Sequence, residues 1–175
     1  MNRKTEEVKI KIDFAEDIEI DTGERILDHM LDTLFFYMNL PVNLDATWDL
    51  EHHLWEDTGI IIGKFLKEKI KGKNIARFGE AVIPMDDALV LTAIDISRPY
   101  LKFPSMKSSE GFQPGLVKEF LLALSRHLEA TVHFLKLNGE NTHHVIEACF
   151  KGLGVCLKEA MKEENETKST KGILK

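Results

Sequence analysis

Two short stretches combine residue types that bind divalent cations: His52-His53-Leu54-Trp55-Glu56 and His143-His144-Val145-Ile146-Glu147. Imidazole and carboxylate are good ligands for first-row divalent ions. His52 and Glu56 are four residues apart, so on a helix they share a face and can clasp one ion. His53 is turned by about 100° from His52 on such a helix and points away from that ion. In a rigid helix the second histidine therefore serves another ion. Two such motifs are most economically read as two equivalent sites, each drawing ligands from both halves of the chain or from two subunits.

The motifs belong to a longer repeat. With a shift of 91 residues, Gly63, Leu66, Lys67, Glu68 and Lys71 reappear as Gly154, Leu157, Lys158, Glu159 and Lys162. Eight of the twenty positions from His52 to Lys71 are identical, where unrelated segments would give about one. Four of the seven histidines lie in the two pairs. His29, in the run LDHML, is a candidate fifth ligand, and His133, on a strand before the second pair, a candidate sixth. His127 reads as a helix-end residue without chemistry. A purely structural metal would favour a Cys-rich closed shell, whereas histidines with carboxylates leave room for substrate.

Other side chains could hold an anion. Arg77 in ARFG and Arg98 in SRPYL stand near strand ends or turns, where a guanidinium can grip phosphate with two hydrogen bonds. Ser169-Thr170-Lys171-Gly172 could wrap a phosphate with a hydroxyl, an ammonium and backbone amides. Taken alone, each arginine reads as a surface or structural residue, and the last stretch as a loose tail.

The elements that must position these groups follow from hydrophobic periodicity. Val8, Ile10 and Ile12 alternate with charged residues as a half-buried strand, and Ile18 and Ile20 continue in a second. From about Glu24 the pattern turns helical, with Ile26, Leu27, Met30, Leu31, Leu34 and Phe35 forming one stripe that contains His29. Val42 to Trp48 alternates as a third strand, and the first His-His-Glu motif opens a helix to about Lys71. The second half repeats this order. Ala81–Ile83 and Leu89–Ile96 read as strands with Tyr100–Phe103 a short extension, Leu116–Leu128 as a helix, Thr131–Leu137 as a strand, and His143 to about Lys162 as a helix. The expectation is an α+β fold, an internal duplication of a strand-strand-helix-strand-helix half, each half a small antiparallel sheet with two helices around a shared core. One domain over residues 1–175 then contains two pseudo-repeats, about 1–76 and 77–162, and a polar, mobile tail at 163–175.

Composition narrows the function. A net charge of −6 argues against nucleic acid or an anionic membrane as main partner. No apolar run approaches the length of a membrane span, and the first residues lack a signal-peptide hydrophobic block. Cys149 and Cys156, seven apart on one helix, lie about 10 Å apart, too far for a disulfide. A cytoplasmic protein with reduced thiols is expected.

The runs LDHMLDTL, HHLWEDT, RFGEAVIPMDDAL, DISRPYL, LNGENTHHVIEACFK and STKGIL resemble, in order and approximate spacing, the imidazoleglycerol-phosphate dehydratases of histidine biosynthesis. The resemblance covers nearly the whole chain. It implies a ribosomal protein S5 domain 2-like fold and metal-ligand roles for His29, His52, His53, Glu56, His133, His143, His144 and Glu147. It also implies two Mn2+ ions per active site and a homo-oligomer, a 24-subunit shell built from trimers with sites shared between subunits. Glu7 falls on a substrate-contacting acid, and Arg77, Arg98, Ser169 and Lys171 on phosphate-binding positions. The implied reaction is dehydration of D-erythro-imidazole glycerol phosphate to imidazole acetol phosphate. Holding the ring between two ions would favour its imidazolate, which could expel the adjacent hydroxyl. Glu7, Glu147 or Glu56 would move the protons.

The chain departs from the family pattern in four places. Several residues, including an acidic pair, are missing before His52; Leu54 replaces a threonine; Ser97 directly precedes Arg98 without the usual glycine; and Tyr37 stands for a histidine. None removes a ligand. Two rival readings follow from the same residues: a dinuclear-metal phosphate-ester hydrolase, and a non-catalytic metal-binding paralogue.

Overall fold

A computed structural model describes residues 1–166. The first half contains β1 (Asn2–Lys4), β2 (Val8–Phe14), β3 (Glu19–Asp21), α1 (Arg25–Met38), β4 (Val42–Trp48) and α2 (Glu51–Ile70). The second contains β5 (Phe78–Met85), β6 (Ala88–Ile96), β7 (Tyr100–Lys102), α3 (Pro114–Leu128), β8 (Ala130–Asn138) and α4 (Thr142–Ala160). The two sheets have matching orders, β1-β2-β4-β3 and β5-β6-β8-β7. The duplicated α+β architecture is therefore present in the fold as well as in the motif.

Three features differ from the sequence reading. Asn2–Lys4 is a strand, although its residues are all polar, because it pairs antiparallel with Lys9–Lys11 at the sheet edge. The sheets are mixed rather than antiparallel: β3 runs parallel to β4 and β7 parallel to β8. In each case an intervening helix returns the chain to the same end of the sheet, the connection that a parallel pair requires. At the start of the stretch expected to be a mobile tail, residues are held: Glu163 bridges Ile75, the Glu164 N–H donates to the Asn74 carbonyl, and Lys73 pairs with Glu163 at 2.6 Å. Ser169 and Lys171 lie outside the described residues.

Each sheet packs one face on helices of its own half, and the helices pack across the halves, α2 on α3 and α1 on α4. The repeated glycines explain how. A Cβ on Gly63 would lie 2.9 Å from the Leu124 carbonyl of α3, and one on Gly154 would lie 2.6 Å from the Leu34 carbonyl of α1. Both glycines let a helix of the other half approach to backbone contact. One core results, containing Leu31, Leu34, Phe35, Leu54, Phe120, Phe134 and Phe150 at no more than 1% exposure. Each such side chain contributes about 1.5–3 kcal/mol by burial.

The outer faces of the sheets are unlike. In the first, Lys9, Lys11, Asn43, Asp45 and Thr47 face outward and are exposed or nearly so. In the second, Val82, Leu91 and Leu135 are aligned across three adjacent strands, with Val82 53% and Leu135 43% exposed.

Candidate metal centre and active site

α1 is capped so that His29 is held at its start. The Glu24 carboxylate accepts from the Ile26 and Leu27 N–H groups, satisfying donors that a helix N-terminus leaves open. Thr22 donates its hydroxyl to Asp28 at 2.5 Å and its own carbonyl accepts from the Trp48 indole, tying the start of α1 to the end of β4. α4 begins similarly, with the Asn141 side chain accepting from the His144 N–H.

These two helix starts meet. His29 from the first half and His143 and Glu147 from the second offer ligand atoms that all lie within 4.8 Å of one another. His143 Nε2 is 2.9 Å and His29 Nε2 3.5 Å from the same Glu147 oxygen, Oε2. The other oxygen, Oε1, pairs with Lys151 Nζ at 2.9 Å, one turn along α4. Burial pushes the Glu147 carboxyl up, but the hydrogen bond and charge of Lys151, with help from His29, outweigh it and hold the group below its ordinary range. The result is an ionised carboxylate beside two imidazoles, a donor set suited to a divalent first-row cation. Phe112 stacks on the His143 ring at 4.6 Å and 16°. Its loop reads as polar in the sequence, and only the single buried aromatic marks it.

The first motif is arranged differently. His52 and Glu56 are exposed on α2, and among the described residues no third ligand joins them in a cluster. The α1 residues that meet Gly154 (Leu34, Tyr37, Met38) match the α3 residues that meet Gly63 (Leu124, His127, Leu128) with a shift of 90, so the counterpart of His29 is Glu119, an exposed carboxylate that joins no such cluster among the described residues. The His53 ring lies against that of His52, centroids 4.0 Å apart rather than turned away as helix geometry suggests, and its Nδ1 is 2.7 Å from Asp49, with Glu7 Oε1 3.8 Å from its Nε2. His144 faces away from the three-residue cluster, with Nδ1 2.6 Å from Asp87 and Nε2 3.5 Å from Asp86. The hydrogen bond that His53 donates to Asp49 raises the His53 pKa, and the one that His144 donates to Asp87 raises that of His144. Asp87 is held well below the usual carboxylate range, first by the backbone N–H of Glu140, then by His144 and the N–H of Asn141.

The remaining sequence candidates are spread out. His133 is half-buried on β8, its ring 5.3 Å from that of Tyr100. His127 bonds the Ala123 carbonyl in the last turn of α3. Arg77 adopts a left-handed backbone (φ 74°) and grips Asp95 through two nitrogens, at 2.6 and 3.0 Å. Ser97 donates to the same aspartate at 2.8 Å, so the residue that stands directly before Arg98 braces Arg77. Arg98 itself is exposed, its carbonyl accepting from Thr131.

Comparison with known proteins bears on this arrangement. The sequence model of imidazoleglycerol-phosphate dehydratase matches residues 22–157. The chain is 49% identical to the imidazoleglycerol-phosphate dehydratase of Pyrococcus furiosus over 177 aligned residues, covering 99% of this chain and all of that protein. It is 47% identical to the enzyme of Dictyoglomus thermophilum over 82% of this chain and 78% of that one. A crystal structure of the Pyrococcus furiosus enzyme superposes with a TM-score of 0.93 at 47% identity, covering 99% of this chain and 100% of that chain. One of the Staphylococcus aureus enzyme superposes with 0.82 at 35%, covering 94% and 98%. A His-rich cluster assembled across a duplicated fold, with full-length identity near one half, leads to one assignment: the chain belongs to the imidazoleglycerol-phosphate dehydratase family.

Proposed function

We propose that this protein dehydrates D-erythro-imidazole glycerol phosphate to imidazole acetol phosphate in histidine biosynthesis, using two Mn2+ ions per active site. The observation that carries the reading is the meeting of His29, His143 and Glu147 within 4.8 Å in a chain of this family. Those three residues would hold one ion. His52 and Glu56 would hold the other, and His53, His133 and His144 would complete the two sites across neighbouring subunits, which suits the first motif's lack of a third ligand among the described residues. Bound divalent ions supply Lewis acidity to the imidazole ring, lowering the cost of its losing the N–H proton.

The chain's own groups divide the remaining work. Both oxygens of Glu147 are engaged, by Lys151 and by the two histidines. Glu7 is exposed, with one oxygen near His53 Nε2. Glu7 is therefore the favoured proton carrier, with Glu56 and Glu147 as ligands. Arg98, exposed, would turn toward the phosphate, with Arg77, fixed in direction by Asp95, and Ser169 and Lys171 as its further contacts.

The second sheet's apolar outer row, Val82–Leu91–Leu135, next to which lies His133, supports self-association, which we read as a shell of 24 subunits built from trimers. A monomer would leave this row in water, whereas the equivalent face of the first sheet is polar.

Expression of the chain in a histidine auxotroph that lacks this enzyme tests the reading. Growth without histidine supports the dehydratase. Failure of folded, Mn2+-loaded protein to restore growth would favour the non-catalytic paralogue, and release of inorganic phosphate from the substrate would favour the hydrolase.

A further inference from the structure

We propose that Asp49 and Asp87 are positioning residues that orient His53 and His144, drawing each Nδ1–H to a carboxylate and leaving each Nε2 to face a divalent cation. The inference rests on the metal-dependent reading above and adds two residues to it.

The two contacts are nearly the same, 2.7 Å from Asp49 to His53 and 2.6 Å from Asp87 to His144, both at Nδ1. A neutral imidazole has one N–H, so a carboxylate at Nδ1 selects the tautomer whose Nε2 carries the free lone pair. It also fixes the ring plane and makes Nε2 more basic, as carboxylates behind metal-bound histidines do. The other histidine of each pair lacks this contact: His143 is held instead by Phe112 and Glu147, and His52 is exposed.

The two aspartates are not repeats of each other. The shift of 91 that superimposes the motifs carries Asp49 to Glu140. Glu140 makes no side-chain bond to His144; its backbone N–H instead donates to Asp87 Oδ2 at 2.7 Å. Asp49 precedes its own helix, four residues before His53, whereas Asp87 comes from the β5–β6 turn, 57 residues from His144. The halves have thus reached one hydrogen bond from two unrelated places. Inheritance from a duplicated ancestor does not produce that coincidence; a shared requirement on the two rings does. Each carboxylate is itself held, Asp87 by the N–H groups of Glu140 and Asn141 and Asp49 by that of Leu50 at 2.6 Å. The Asp49 N–H also donates to the Glu7 carbonyl, which links this ring to the favoured proton carrier.

The test is Mn2+ binding to metal-stripped protein, read from the electron paramagnetic resonance signal of the free ion, with circular dichroism to verify folding. The unsubstituted protein should take up two ions per chain. Asp49→Ala and Asp87→Ala should each weaken one class of site by about 10- to 100-fold and leave the other unchanged. Asp49→Asn keeps an acceptor in place without the charge and should bind more tightly than Asp49→Ala but less tightly than the native chain. Glu140→Ala, the repeat counterpart of Asp49, should bind as the native chain does. Alanine variants with native affinity and stoichiometry would overturn the inference, as would an Asp49→Asn variant no better than Asp49→Ala or a Glu140→Ala loss equal to that of Asp87→Ala. The two Asp49 variants decide the matter by themselves should Asp87→Ala not fold. If the unsubstituted protein takes up no Mn2+, the metal-dependent reading fails first.

Discussion

Lys151 Nζ lies 2.9 Å from Glu147 Oε1, on the side of the carboxylate opposite His143 and His29. The ammonium's hydrogen bond and charge oppose the burial that pushes this carboxyl up and hold it below its ordinary range. Because the folded-state pKa is depressed, Glu147 adds stability above the unfolded carboxylate pKa, and this is lost as pH falls through the folded value. With Lys151→Met only His29 still opposes burial, and the depression shrinks. Thermal unfolding of the metal-free protein across the carboxylate range should then rise with pH less steeply than in the native chain. An unchanged slope would deny Lys151 this role.

The helix crossings at Gly63 and Gly154 make a second prediction. Gly63→Ala and Gly154→Ala should each cost about 1–3 kcal/mol, because a methyl group meets backbone rather than a movable side chain. The two differ in consequence. Gly154 touches α1, which carries His29, so its variant should also weaken Mn2+ binding; Gly63 touches α3 and should not reach the three-residue cluster. Denaturant titration and metal binding on both variants check this.

Cys149 and Cys156 are fully buried, and burial pushes the thiol of Cys156 up to about 12 and that of Cys149 further. Neither presents a thiolate at neutral pH. An exposed-thiol reagent should react with neither cysteine in the folded protein and with both after unfolding, at the rate of global opening. Rapid labelling of one thiol in native conditions would place a weak point in α4.

The apolar row on the second sheet predicts where copies meet. Val82→Asp and Leu135→Asp should shift sedimentation to smaller species without altering the helical circular dichroism signal. Lys9→Asp, on the matching polar face of the first sheet, should leave the assembly intact. Stripping the metal should also break the assembly down if sites are shared.

The sequence carries the periodic elements and the metal motif because both are local. The stripe from Ile26 to Phe35 and the four-residue spacing of His143 and Glu147 can be read directly from the chain. What escapes is pairing over distance. Asn2–Lys4 has no apolar residue and becomes a strand only through its partner, and the parallel β3–β4 and β7–β8 ladders depend on where the helices return the chain. In the candidate site, the union of His29 with the second motif and not the first is set by packing of α1 on α4. Asp49 could have been found from its spacing to His53. Asp87 could not, since nothing local connects a hairpin turn to a helix 57 residues later.

The most direct test of the proposed activity is to incubate Mn2+-loaded protein with imidazole glycerol phosphate and follow the ketone product by its enolate absorbance in base. The account predicts ketone formation that stops when the metal is stripped, returns when Mn2+ is restored, and falls by about 100-fold or more in Glu7→Gln, the size expected for loss of a general acid–base. Folded, Mn2+-loaded protein that forms no ketone would contradict it.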